Sequence, residues 1–163
     1  MIRLLIRYLL LLCFIVSAFG NASAQAHKID SLRIVLKTLP ADTNRVNVLI
    51  ELCKAQSFLD SKEIISTANE ALALAKKINF KTGQAKACFQ LGYYFHKVGD
   101  DLKAIESLHE ASNIFEKVNN LTQAAYAYNA IGVIYNEQDD EEEALLFFQR
   151  ANSLWSKVDF REG

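Results

Sequence analysis

From residue 26 onward, apolar side chains recur every three or four positions, and short polar clusters interrupt them at near-regular intervals. That rhythm is the period of an amphipathic helix buried along one face. It predicts helices over 26–39, 43–58, 62–78, 83–97, 102–118, 123–137 and 141–157. Ile29, Leu32, Val35 or Leu36, and Leu39 mark the first face; Val46, Leu49, Ile50, Leu52 and Cys53 the second; Ile64, Ile65, Ala68, Ala71, Leu72 and Ala75 the third. Period-2 alternation persists nowhere, so no strands are expected. Asp100-Asp101 and Asp139-Asp140 stand ahead of two of the helices, where a carboxylate satisfies free backbone N–H groups. Such short turns make the helices they join antiparallel.

The second half of this pattern repeats. Thr82 and Thr122, Leu91 and Ile131, Gly92 and Gly132, Phe95 and Tyr135, Ala104 and Ala144, Ala111 and Ala151 pair at a separation of 40. A fixed period of this length marks a stack of helical units, none of which can bury its apolar face alone. Gly in a helix costs about 1 kcal/mol against Ala, and close approach to the partner helix offsets that cost. Ala104 and Ala144 are the small residues expected to face the two glycines. An earlier unit is degenerate, with Ala71 matching Ala111 at 40 but Cys53 matching Gly92 at 39. The chain thus divides into a capping helix (26–40), a worn first repeat (43–81), a second (82–121) and a third (122–160). Residues 161–163 resemble the lead-in to another. Leu146, Leu154 and Trp155 are expected to form an open face at that edge, which further repeats or self-association would cover.

The N-terminus differs in kind. Arg3 and Arg7 precede an apolar run over 8–19, Gly20-Asn21 breaks it, and Ala22-Ser23-Ala24 supplies a small-x-small site. This is the layout of a secretory signal peptide cleaved after Ala24, with an uncleaved anchor as the alternative. Export, to the periplasm in a bacterium, is the expected localisation.

Composition and charge narrow the function. The formal charge of −1 on 163 residues becomes −3 once Arg3 and Arg7 leave with the leader. A nucleic-acid partner is therefore not expected, because phosphate binding needs a clustered basic face. The three cysteines lie far apart and His27, His96 and His109 are scattered, which excludes zinc spacing. Cys53 and Cys88 are read as small buried side chains, with a disulfide between neighbouring repeats as the alternative. The acidic run 139–143 reads as a solvated turn and helix start rather than a cation site. No serine or cysteine stands at recognisable spacing from a histidine, so catalysis, a cofactor and a metal are all unexpected.

Cys88-x-x-Leu91-Gly92-x-x-Phe95 followed by Ala104, Leu108 and Ala111 resembles a tetratricopeptide repeat. Tyr128-x-x-Ile131-Gly132-x-x-Tyr135 followed by Ala144, Phe148 and Ala151 does so again, and Leu49, Leu52, Cys53, Ala68 and Ala71 are remnants of a third instance. The terminal proline of the motif is absent. The resemblance implies an all-α, right-handed α-solenoid of antiparallel helix pairs. It also implies a concave groove holding a protein or peptide partner, lined by Lys86, Phe89, Tyr93, Lys97, Tyr126, Asn129, Val133 and Asn136, with Lys54 and Ser57 extending it. The lysine, asparagine and arginine set of the chaperone-tail clamp is not reproduced. The leader, the Ile29-Asp30-Ser31-Leu32 helix and Ala41 through Asn47 resemble exported repeat proteins of Bacteroidetes-type bacteria. That likeness implies the sensory N-terminal part of a signalling protein, such as a histidine kinase or transcriptional regulator. A free-standing exported scaffold for envelope proteins is the alternative.

Overall fold

The computed structural model describes residues 25–56 and 61–162. The expected leader and Ser57 lie outside that range. Seven helices fill the described residues: α1 (25–38), α2 (Thr43–Ala55), α3 (Ser61–Lys77), α4 (Lys81–Lys97), α5 (Asp101–Lys117), α6 (Leu121–Glu137) and α7 (Glu141–Glu162). They pair as α2 with α3, α4 with α5 and α6 with α7, and the pairs stack through α3 on α4 and α5 on α6. The architecture is an α-solenoid of antiparallel helix pairs, as the 40-residue period predicts.

One turn, used four times, sets the geometry. Residues Asn79, Gly99, Asn119 and Asp139 each have positive φ, near 56°, 81°, 57° and 59°. After each, the next amide donates five residues back: Phe80 to Ala75, Asp100 to Phe95, Asn120 to Phe115, Asp140 to Tyr135, at 2.8–3.0 Å. This is the Schellman closure, in which one left-handed residue satisfies two orphan carbonyls. The closing residue also opens the next helix. Asp100, Asn120 and Asp140 accept from the amides of Lys103, Gln123 and Glu143. The helices α4 and α6 therefore start two residues earlier than the apolar pattern predicts, at Lys81 and Leu121. Gly83, the expected first residue of the helix, is inside it. It lies in the first turn of α4, where an added Cβ would meet the Phe80 ring and Val46 Cγ1 (2.9 Å). At Asp159, 40 residues after Asn119, α7 continues to Glu162 instead of turning.

The paired helices touch at their backbones. A Cβ on Gly92 would lie 2.5 Å from Leu108 Cγ and 3.0 Å from the Ala104 carbonyl oxygen. One on Gly132 would lie 2.7 Å from the Phe148 ring and 3.2 Å from the Ala144 carbonyl oxygen. Around these contacts Leu91, Leu108, Phe115, Ile131 and Ile134 are buried, with Phe95, Tyr135 and Phe147 half-buried against them. The first unit has its own cluster of Val46, Leu49, Ile50, Ala71 and Ala75. Helix α1 is too short to persist alone, and it lies as a lid on α2, seating Ile29 beside Leu52 and Ala55. Arg45 caps its end by donating to the carbonyls of Leu36 (2.6 Å) and Leu39 (3.3 Å), and Arg33 pairs with Glu63 of α3.

Curvature follows from which helices approach each other. Cα atoms of α2 and α4, and of α4 and α6, come within 8 Å, whereas none of α3 and α5 or of α5 and α7 do. The first helices of the pairs thus form the inner layer and the second helices the outer one. Long side chains bridge the outer layer, Lys76 to Glu110 at 3.2 Å and Arg150 to Glu116 at 3.0 Å.

Substitutions at two positions test this account. Gly92→Ala is expected to destabilise the chain by about 1–3 kcal/mol in urea unfolding, although Ala is the better helix former by about 1 kcal/mol. Asn79→Ala should cost about 1 kcal/mol, because Ala lacks the short polar side chain that eases Asn into the left-handed region, while Asn79→Gly, which removes the Cβ, should leave stability unchanged or higher.

Candidate functional site

The residues singled out on the repeated helices fall on the inner layer at matching heights. Lys86 and Tyr126, Phe89 and Asn129, Tyr93 and Val133 stand 40 apart, and Lys54 holds the position of Tyr93 on α2. Tyr93 is 55% exposed, Tyr126 49% and Val133 37%. Lys54, Lys97 and Asn136 are exposed; Lys86 and Asn129 are half-buried. Phe89 differs from the rest, because it packs against the core of the second and third units and offers the surface only part of its ring.

Both exposed tyrosines are propped by a second aromatic ring. Tyr93 meets Tyr94 edge-on at 5.0 Å, and Tyr126 meets Trp155 edge-on at 5.6 Å. Tyr94 is itself buried and donates its hydroxyl to the Cys53 carbonyl of α2 at 3.2 Å. Burial pushes the Tyr94 hydroxyl up to about 12, so it remains a donor. Lys97 Nζ lies 5.8 Å from the Tyr94 ring centre. The face thus carries large apolar area whose rotamers are fixed from beneath, interleaved with amides and lysines.

Trp155 corrects one expectation. It and Leu154 do not form an open edge, since Leu154 is only 5% exposed and Trp155 is half-buried beside Tyr126. Leu146 is exposed as expected, together with Leu145, but Gln149, Asn152, Ser153 and Ser156 share the exposed surface of α7. Helical spacing alone does not separate a ring that turns back onto its own pair from one that faces outward.

A second cluster ties the last two units. Tyr128 donates its hydroxyl to Glu116 at 2.7 Å, and Arg150 donates to the same carboxylate at 3.0 and 3.4 Å while lying 5.0 Å from the Tyr128 ring centre. His109 meets Tyr128 and Phe147 edge-on, and Tyr135 stacks on Phe147 at 5.5 Å. Burial raises the Glu116 carboxyl, but the donors Tyr128 and Arg150 outweigh it and hold the group below its ordinary value. Burial also lowers His109, favouring the neutral ring. These groups satisfy one another across three helices, which is the behaviour of a structural junction. From sequence, Tyr128 reads only as the motif's first aromatic, because its partners lie 12 and 22 residues away.

The remaining chemistry is quiet. Cys53 and Cys88 are free and buried in different core clusters, with burial pushing both thiols up to about 12. The disulfide alternative is not realised. Among the described residues no group of three His, Cys, Asp or Glu is placed to hold a metal ion. Asp140 of the acidic run caps α7, and Glu141, Glu142 and Glu143 form its first turn. An open cleft of about 730 Å³ with a mixed lining lies between the start of α4 and the end of α5, bordered by Lys81, Gln84, Glu110, Lys117, Ile114 and Val118. It shares no residue with the inner face.

Residues 84–155 match the family model of the tetratricopeptide repeat. A crystal structure of the kinesin light chain nearly identical TPR-like repeats of Podosopora anserina aligns at a TM-score of 0.55 and 14% identity, covering 86% of this chain and 91% of that one. The fold is a tetratricopeptide-type solenoid. A crystal structure of MamA aligns at a TM-score of 0.42 and 22% identity, covering 80% of this chain and 88% of that one. No curated protein sequence matches the chain. In tetratricopeptide terms α2, α4 and α6 are the first helices of their repeats, and the inner face they form is the concave one.

The junction makes a pH prediction. A carboxyl held lower in the folded chain than in the unfolded one adds stability above the ordinary glutamate range and loses it as pH falls through the lowered value. Glu116→Gln is therefore expected to be less stable than the parent at neutral pH. The gap should narrow in urea unfolding as pH drops below about 4.3.

Proposed function

We propose that this chain is a non-catalytic scaffold that binds a protein partner, as a peptide in extended or helical form, along the concave face of α4 and α6. The observation that carries the reading is the line of Tyr93, Tyr126 and Val133, large apolar side chains left exposed on the inner layer. An exposed apolar patch with polar neighbours is the mark of an interaction site. Rings already fixed by Tyr94 and Trp155 lose little freedom on binding, which favours affinity. Asn129 and Asn136 supply amides for a peptide backbone, and Lys86 and Lys97 place positive charge on the second unit, Lys54 being paired with Glu51 at 2.8 Å.

We also propose that the protein acts after export, in the periplasm, as the sensory part of a signal-transduction protein. The support is the leader pattern of residues 1–24 and the likeness of the Ile29–Leu32 and Ala41–Asn47 stretches to exported bacterial repeat proteins. Among the described residues no helix is long and apolar enough to cross a membrane. A second reading is a free-standing exported scaffold for envelope assembly.

Selection of peptides from a displayed random library on the immobilised full chain tests the binding reading. Tyr93→Ala and Asn129→Ala should each weaken the selected peptides by about tenfold while circular dichroism keeps the parent's helix content. Undiminished binding by both variants would place the site elsewhere.

A further inference from the structure

At the rim of the inner face, His96 joins the second and third units. Its Nδ1 lies 2.7 Å from Asp101 Oδ1 at the start of α5, and its Nε2 lies 3.3 Å from Glu137 Oε2 at the end of α6. Gln138, in the turn after α6, donates to the other oxygen of Asp101 at 2.9 Å. Asp101 is thus fixed by two donors, and the hydrogen bond from His96, followed by that from Gln138, holds its carboxyl below the ordinary range.

A neutral imidazole has one N–H and one lone pair. Whichever tautomer forms, the lone pair would face a carboxylate oxygen. Only the doubly protonated ring donates to both partners and places positive charge between two negative ones. We propose that His96 is a protonation-dependent clasp between the second and third repeats, closed when the ring is an imidazolium and released on the Glu137 side when it is neutral.

The other charged groups on the elements around the ring do not substitute for it. On α4, Lys97 is the adjacent residue and lies over the Tyr94 ring. At the start of α5, Lys103 is held by Asp100 at 2.6 Å. Beyond α6, Asp139 and Asp140 belong to the turn, where Asp140 caps α7. The matching position in the third repeat is Asn136 and in the first is Ser57, neither of which titrates in this range. The device therefore belongs to one junction. The inner-face residues Tyr93 and Val133 lie on the same two helices, α4 and α6.

A double-mutant cycle on the full chain, with His96→Asn, Glu137→Gln and the pair, tests the proposal by urea unfolding at about pH 5.5 and about pH 8, on either side of the imidazole range. The expected coupling is about two- to fivefold in the unfolding equilibrium at the lower pH and vanishes at the higher. Equal coupling at both values, or none at either, would overturn it. Amide exchange in the Glu137→Gln chain gives an independent reading that needs no substitution at the histidine. Exchange along α6, corrected for its intrinsic pH dependence, should be faster than in the parent at about pH 5.5 and equal to it at about pH 8. An unchanged rate at the lower pH would also count against the clasp.

Discussion

The contact on which this structure rests is that of a helix backbone with its partner's carbonyl edge. Gly92 lies against Ala104 and Leu108, and Gly132 against Ala144 and Phe148, so closely that an added Cβ would force Leu108 or Phe148 to shift. With the paired helices drawn this close, their remaining apolar residues cannot all be covered within one pair. Phe115, Ile131 and Ile134 are buried in one cluster that runs from α5 to α6 across a repeat boundary. Stacking is thus a consequence of tight pairing, and curvature is a consequence of stacking two unequal layers.

The second determinant is local. Four turns of one conformation, at Asn79, Gly99, Asn119 and Asp139, make each helix end dictate the next helix start. Because Asp100, Asn120 and Asp140 close one helix and cap the other, few residues remain in which the direction of the chain can vary. The inner face inherits that regularity. Side chains 40 apart arrive at one height, and Tyr93 and Val133 line up without any direct bond between them.

Much of this is legible in the chain itself. The 40-residue spacing of Gly92 with Gly132 and Ala104 with Ala144 carries the fold, because a close approach tolerates few residue types. The turns are less legible, since their left-handed residues are Asn, Gly, Asn and Asp, and no single type betrays a common conformation. Gly83 reads as the first residue of a helix, yet it lies inside the first turn of α4 and makes room there for the Phe80 ring. On the candidate face, helical spacing identifies the outward positions 86, 93, 126 and 133, but not the rings beneath them. Trp155 looks like an edge residue until its contact with Tyr126 is known. The ring of His96 meets Glu137 across 41 positions of sequence, a contact set entirely by how the repeats stack.

The outer layer carries a further lesson in its two ion pairs. Lys76 and Glu116 occupy the same place in successive repeats, as do Glu110 and Arg150, yet the signs are reversed between the two junctions. If the middle repeat were deleted, the third would settle on the first with Lys76 facing Arg150, two like charges where an attraction stood. Units that share a backbone are thereby made unequal neighbours. The order of the repeats is written in polarity as well as in sequence, and a solenoid spliced out of order would meet repulsion at the seam.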